Sequence, residues 1–309
     1  FFSGFITSNT ESFLWMLLFM AIVFIVVSLG VKGGIEKANL IMMPALIVMA
    51  VAIAAYTLMQ PGAAEGALYY LVPDFSKFSP ELVIGALGQM FYSLSLAMGI
   101  MITYGSYLDR KSSLTQSVTR IGFFDVGVSF LAGLMIVPAA FVAMGSGDAV
   151  AGAAGPSLMF ITLPAVFQQM PFGSFVAVVF FFAVLCAAIT SLVNLFETPI
   201  EALQSQFGLS RGVAVGIVAA IAAFVGVFIE STSSVGAWMD VISIFVIPLG
   251  ALLAAIMFFW VCPKGFARSQ VELGHGKPIG RWFEVLTKYV FVGITALVYV
   301  LGIFFGGLG

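Results

Sequence analysis

The chain has 309 residues, 61% of them hydrophobic and only 8% charged, with a formal net charge of -2. Soluble domains carry roughly 25% charged residues, so a water-soluble globule is excluded and the solvent for most of this chain is lipid. No basic patch exists to hold nucleic acid, and the two cysteines, Cys186 and Cys262, in or beside apolar segments, read as buried thiols and not as a disulfide framework or metal site.

Eight apolar spans are expected. The chain opens Phe1-Phe2-Ser3, without a methionine or a signal-peptide pattern, and reads as a continuation. The first span covers residues 13–29 and stops at Gly30. The second covers 39–59, with Pro44 near its start, where a missing N–H does little harm. A polar loop around Asp74 leads to the third, residues 82–107. At ~1.5 Å per helical residue it is long enough to cross a bilayer. Its centre carries Gln89, Ser93, Ser95 and Gly99, which a lipid-facing helix would not have. Such residues suit either tight helix packing or a polar interior site. The fourth span, 122–144, contains Asp125 about one turn in, and Ser129. Residues 145–171 are apolar but broken by Gly155-Pro156, Pro164 and Pro171, as in a structured loop of short helices. The remaining spans are 175–203, 212–229, 238–261 and 283–305, with a hydrophilic loop at 263–280 that holds the only histidine, His275. Gly212 and Gly216 form a small-xxx-small pair suited to packing.

If the first connecting loop is cytoplasmic and the spans alternate, every Lys and Arg except Lys77 falls inside. Both ends then lie outside, which suggests that an odd number of spans precedes the chain.

The polar residues within the spans carry the chemistry. A carboxylate at membrane depth is costly and by default functional, although Asp125 could instead be interfacial or paired with Arg120. Thr190 and Ser191 either coordinate something or bond back to their own helix. Asn194, Glu197 and Glu201 share one helix face. Asp240, at the outer end of its span, is by itself an interfacial charge. Hydroxyls with one carboxylate, and no His or Cys cluster, suit a hard monovalent cation. No nucleophile–base pair and no nucleotide-cradling loop exists, so an enzyme is not expected.

Gly88-Gln89-Met90-Phe91-Tyr92-Ser93-Leu94-Ser95-Leu96 followed by Ile102-Thr103-Tyr104-Gly105-Ser106-Tyr107 resembles the sixth helix of the neurotransmitter:sodium symporters, in their bacterial amino-acid transporter branch. Phe160-Ile161-Thr162-Leu163-Pro164-Ala165-Val166-Phe167 resembles their fourth outer loop, and Ala187-Ala188-Ile189-Thr190-Ser191 their eighth helix. The resemblance covers essentially the whole chain. It implies an all-α membrane protein whose eight transmembrane helices match family helices four to eleven of the inverted-repeat, leucine transporter-like fold, with the first three helices missing. Residues 1–309 would form one membrane domain, in which 1–80 end the first repeat, 81–262 form the second and 263–309 add a loop and a further helix. It also implies a helix break within residues 88–99, tolerated only where the freed backbone lines a cavity or is buried in protein.

By the same resemblance, Tyr92, Ser93, Ser95, Met98, Ser191 and Leu195 bind substrate. Ser93 and Asp125 hold a first sodium; Ala187, Thr190 and Ser191 hold a second. Gln89, Asp125 and Ser129 match a chloride site, and Tyr107 and Asp240 match gates. Three departures stand out: Asp125 for an asparagine, Ala97 for the first glycine of the break, and Ser205 for a gate aspartate, with Glu201 a candidate substitute. The implied function is sodium-driven symport of a small, hydrophobic or aromatic amino acid, chloride-independent because Asp125 supplies the anion's charge. The expected setting is the bacterial inner membrane, with sodium co-transported and no organic cofactor. The alternative from another class is a non-transporting scaffold or amino-acid sensor on the same fold.

Overall fold

A computed structural model describes residues 9–305 apart from 97, 153–158, 161–162, 170, 230–236, 240 and 275–277. The expectations placed on the first residues, Ala97, Gly155-Pro156, Ile161-Thr162, Asp240 and His275 therefore fall outside the described residues.

The described chain is helical. In order it forms α1 (Asn9–Ser28), a π turn (Val31–Ile35), α2 (Glu36–Leu58), α3 (Ala63–Leu71), α4 (Pro80–Ser93), α5 (Ile100–Tyr107), α6 (Leu114–Met144), α7 (Gly147–Gly152), α8 (Leu163–Gln169), α9 (Gly173–Phe207) and α10 (Arg211–Ile229). There follow a π segment (Ile242–Val246), α11 (Ile247–Ile256), a second π segment (Met257–Val261), α12 (Phe266–Glu272), α13 (Trp282–Val285), a third π segment (Leu286–Phe291) and α14 (Val292–Phe305). Seven of the described helices, not eight, are long and apolar enough to cross a membrane. The span expected at 82–107 is instead two short helices, α4 and α5, separated by a break.

Helix ends account for the other differences. α6 starts at Leu114 and not at residue 122, because a helix can continue into polar sequence once its hydroxyls bond back. Ser113 Oγ accepts the Gln116 N–H at 3.4 Å, and Ser117 and Thr119 donate to the carbonyls of Ser113 and Thr115. Asp125 consequently lies about three turns into its helix, not one. α3 and α12 occupy stretches expected to be loops. Each is too short to show as a span, and each begins after a left-handed glycine, Gly62 or Gly265.

The chain forms two compact units. One comprises Phe1–Ser76, Val126–Phe196 and Leu209–Gly226; the other comprises Lys77–Asp125, Glu197–Gly208 and Val227–Gly309. In the first unit, Ala50, Ile53 and Ala54 of α2 pack with Met135 and Ala139 of α6, Leu163, Val166 and Phe167 of α8, and Val176 and Phe180 of α9. Small residues on the long helices leave room for the bulky face of α8. Arg211, at the first turn of α10, donates through Nε and Nη2 to the Val27 carbonyl at 2.9 and 2.7 Å, satisfying a C-terminal carbonyl of α1. In the second unit, Phe91 of α4 packs with Ile247 and Ala251 of α11 and Val298 of α14.

After α11 the loop is fastened at Glu272. Its carboxylate accepts from the Ile279 N–H at 2.8 Å and from Arg268 Nε at 2.9 Å. The Ile279 bond and then the Arg268 bond hold its carboxyl below the ordinary glutamate range. The folded form thus favours the ionised carboxylate. Its contribution is complete above the ordinary value near ~4.3 and is lost only as pH falls through the lower folded-state value.

Two outcomes are expected. Arg211→Ala lowers unfolding stability by about 1.5–3 kcal/mol, the range for hydrogen bonds to a charged group, in thermal melts of the purified protein, and Arg211→Lys recovers only part of it. Protection of the Ile279 amide, taken relative to its intrinsic exchange rate, is expected to hold from neutral pH through the ordinary glutamate value and to fall only as pH passes through the lower folded-state value of Glu272; Glu272→Ala is expected to lose it at every pH.

Candidate functional site

The broken helix is built from identifiable signals. Ser79 caps α4, its side chain accepting the Leu82 N–H at 3.2 Å, and Pro80 takes the first helical position. α4 ends in a Schellman turn: Leu96 N–H bonds to the Phe91 carbonyl at 3.2 Å and Ser95 N–H to the Tyr92 carbonyl at 3.0 Å. Ser95 occupies the left-handed position, φ 53°, that glycine usually fills, and Leu96 packs with the Phe91 cluster as such turns favour. Gly99, φ 72°, then opens α5, and a Cβ there would stand 3.1 Å from Thr198 Cγ2. Small and polar residues in this stretch therefore serve a sharp reversal of backbone geometry, stored at Ser95 as local strain.

Beside the break, Ser93 Oγ donates to Asp125 Oδ1 at 2.5 Å. This is at the short end of charge-assisted O–H···O⁻ bonds. The pair joins two segments 32 residues apart, and it settles the partner of Asp125 as Ser93 and not Arg120. Ser93 Oγ keeps its lone pairs after donating. The two side chains thus present adjacent oxygens of the kind that coordinate a hard cation.

In the first unit, α9 carries the second oxygen cluster. Thr190, buried, directs its hydroxyl to the carbonyls of both Cys186 and Ala187, each at 3.0 Å. This is the back-bonding expected of an intramembrane threonine. It leaves the Thr190 oxygen lone pairs beside the Ala187 carbonyl, with Ser191 exposed next to it.

At the end of α5, Tyr107 donates to Glu197 Oε1 at 2.7 Å. Glu197 is 0% exposed. Both belong to the second unit, which also contains Thr198 and Glu201, whose buried Oγ1 and Oε2 have no hydrogen-bond partner among the described residues. Ser205, which the resemblance aligns with a gate aspartate, is exposed and donates to the Ala202 carbonyl of its own helix at 3.3 Å.

The remaining candidates are placed as follows. Gln89 and Tyr92 lie on α4 and border a cavity of about 250 Å³ with Ser243 and Thr295. Met98 lies in the break, Ser129 on α6 and Leu195 on α9. Sequence reasoning placed Glu197 on a polar face but gave it no role. The signal was an acid inside an apolar span; its partner, 90 residues away, had no local signature. Among the described residues no group of three or more His, Cys, Asp or Glu side chains could hold a metal ion.

The described residues thus combine membrane-length helices with one interrupted helix and a carboxylate–hydroxyl pair beside the interruption. The family model described as the sodium:neurotransmitter symporter family matches residues 6–304, and the chain belongs to that family. It is 34% identical to an uncharacterized sodium-dependent transporter of Methanocaldococcus jannaschii over 90% of this chain and 58% of that protein. It is 38% identical to an uncharacterized sodium-dependent transporter of Haemophilus influenzae over 67% of this chain and 44% of that one. The chain thus spans less than two thirds of the length of these relatives. Among solved structures it is similar to MhsT in complex with L-phenylalanine, with a TM-score of 0.81 and 30% identity over 97% of this chain and 70% of that one. Its relatives are sodium-dependent transporters, not enzymes.

Tyr107→Phe removes one donor to a fully buried carboxylate and is expected to cost about 1–3 kcal/mol. Thermal unfolding of the purified protein measures this.

Proposed function

We propose that the protein is a sodium-coupled symporter of a small amino acid with a hydrophobic or aromatic side chain, working by alternating access. The observation that carries this reading is the Ser93–Asp125 hydrogen bond beside the helix break. It brings a carboxylate and a hydroxyl together at the point where backbone groups are released from the helical ladder. Ser93 and Asp125 take one sodium; the Ala187 carbonyl, Thr190 and Ser191 take another. By the family resemblance Tyr92 matches the lid over the substrate, Ser95 and the adjoining backbone match the groups that receive its ammonium, and Met98, Ser191 and Leu195 each match a substrate-contacting position. The phenylalanine bound to MhsT supports an apolar side chain.

The α4–α5 pair forms the discontinuous eighth crossing. The repeat boundaries fall near residues 80 and 262, and the bacterial inner membrane is the expected location. Tyr107 with Glu197 closes the inner end, and Asp240 the outer.

Asp125 further makes transport independent of chloride. By the family resemblance Gln89, Asp125 and Ser129 each match a chloride-site position of chloride-dependent members, and a fixed carboxylate charge would do the anion's electrostatic work. In proteoliposomes, labelled phenylalanine uptake is expected to require an inward sodium gradient and to persist when gluconate replaces chloride. Asp125→Asn is expected to lower uptake by about tenfold or more, ~1.4 kcal/mol, and to regain part of it with chloride. Wild-type uptake that already needs chloride overturns the chloride reading, and uptake indifferent to sodium overturns the symport reading.

A further inference from the structure

The second unit also holds a pocket lined by none of the residues proposed above for ions, substrate or gating. It has a volume of about 380 Å³ and opens between the end of the Met257–Val261 segment, α12 and the start of α13. Lys264, Arg268 and Lys288 line it, with one carboxylate, Glu284, beside Gly265 at the rim. Arg268 is already engaged by Glu272 at 2.9 Å. Lys264 and Lys288 against Glu284 therefore leave one net positive charge for an occupant, which suits a monoanion and not a polyphosphate.

The floor is held in place. Trp260 Nε1–H donates to the Lys288 carbonyl at 3.0 Å, and Lys288 Nζ sits 4.6 Å from the centre of the same indole ring. An ammonium over a ring face still has N–H donors directed away from the ring. Trp260 and Tyr289 meet edge-on at 5.8 Å, and both are largely exposed. Exposed tryptophan and tyrosine at the ends of apolar helices mark the level where lipid headgroups lie. Basic pockets between helix ends at that level bind anionic headgroups, and Val285, exposed at the mouth, offers an apolar exit for acyl chains.

We propose that this pocket binds the phosphodiester headgroup of a singly charged anionic phospholipid. The phosphate lies between Lys264 and Lys288, and the acyl chains pass over Trp260 and Val285. Glu284 bars headgroups of higher charge.

Native mass spectrometry of the detergent-purified protein, after incubation with phosphatidylglycerol or with phosphatidylcholine, tests this. One phosphatidylglycerol is expected to stay bound at concentrations where phosphatidylcholine is lost, and Lys264→Gln/Lys288→Gln is expected to weaken retention by about tenfold or more. Lys111→Gln, outside the pocket, is expected to change nothing. The single variant Lys264→Gln, at an exposed position, gives the same reading if the double variant does not fold. Equal retention of phosphatidylcholine, or unchanged retention in the lysine variants, overturns the proposal. So does displacement of the lipid by glycerophosphoglycerol at matched concentration, which would make this a soluble-phosphodiester site.

Discussion

A backbone in hydrocarbon has no water to bond to, so every interruption of a helix must be satisfied by the protein itself. The second unit is organised around one such interruption. The Schellman turn at Leu94–Leu96 takes up the last carbonyls of α4, and Gly99 restarts the ladder as α5. Phe91 anchors the turn from below by packing with Ile247, Ala251 and Val298. Tyr92 and Ser93, the next two residues, are thereby held where the helix is about to open. The geometry costs strain at Ser95, a left-handed residue that is not glycine. The structure around it is ordered enough to impose that conformation.

Carboxylates follow the same constraint. An acid inside a membrane-length helix must find a donor or carry a large desolvation penalty. Asp125 finds the Ser93 hydroxyl and Glu197 finds the Tyr107 phenol, each supplied by a segment far away in sequence. In both cases the donor comes from the broken helix pair: Ser93 ends α4 and Tyr107 ends α5. Movement of either half relative to its acid would change the bonding of that acid. Both acids thus depend on the same broken helix pair for a hydrogen-bond donor.

Much of this was legible in the residues. Lipid-facing helices carry a dense apolar signal, so the seven long spans were located to within a few residues, apart from the polar starts of α6 and of the Val31–Leu58 span. The interruption could not be derived from composition, since Ser93, Ser95 and Gly99 serve close packing equally well; the family pattern supplied it. α3 and α12 were missed because a nine- or seven-residue helix beside a membrane has no periodic signature long enough to read. Asp125 was singled out as a candidate but placed too near its helix end, because Ser113, Ser117 and Thr119 disguised the first turns of α6 as loop. Glu197 illustrates the remaining gap: one residue shows that an acid is present, but not which side chain ninety positions away answers it.

The central claim is that Ser93 and Asp125 form a sodium site and not merely a structural hydrogen bond. Equilibrium binding of radioactive sodium to the purified protein, wild type against Ser93→Ala, tests it most directly, because alanine removes one proposed ligand and leaves the carboxylate in place. The account predicts that the half-saturating sodium concentration rises by about tenfold, the ~1.4 kcal/mol of one lost ligand, with phenylalanine binding weakened in step. Identical sodium binding curves for the two proteins would contradict it.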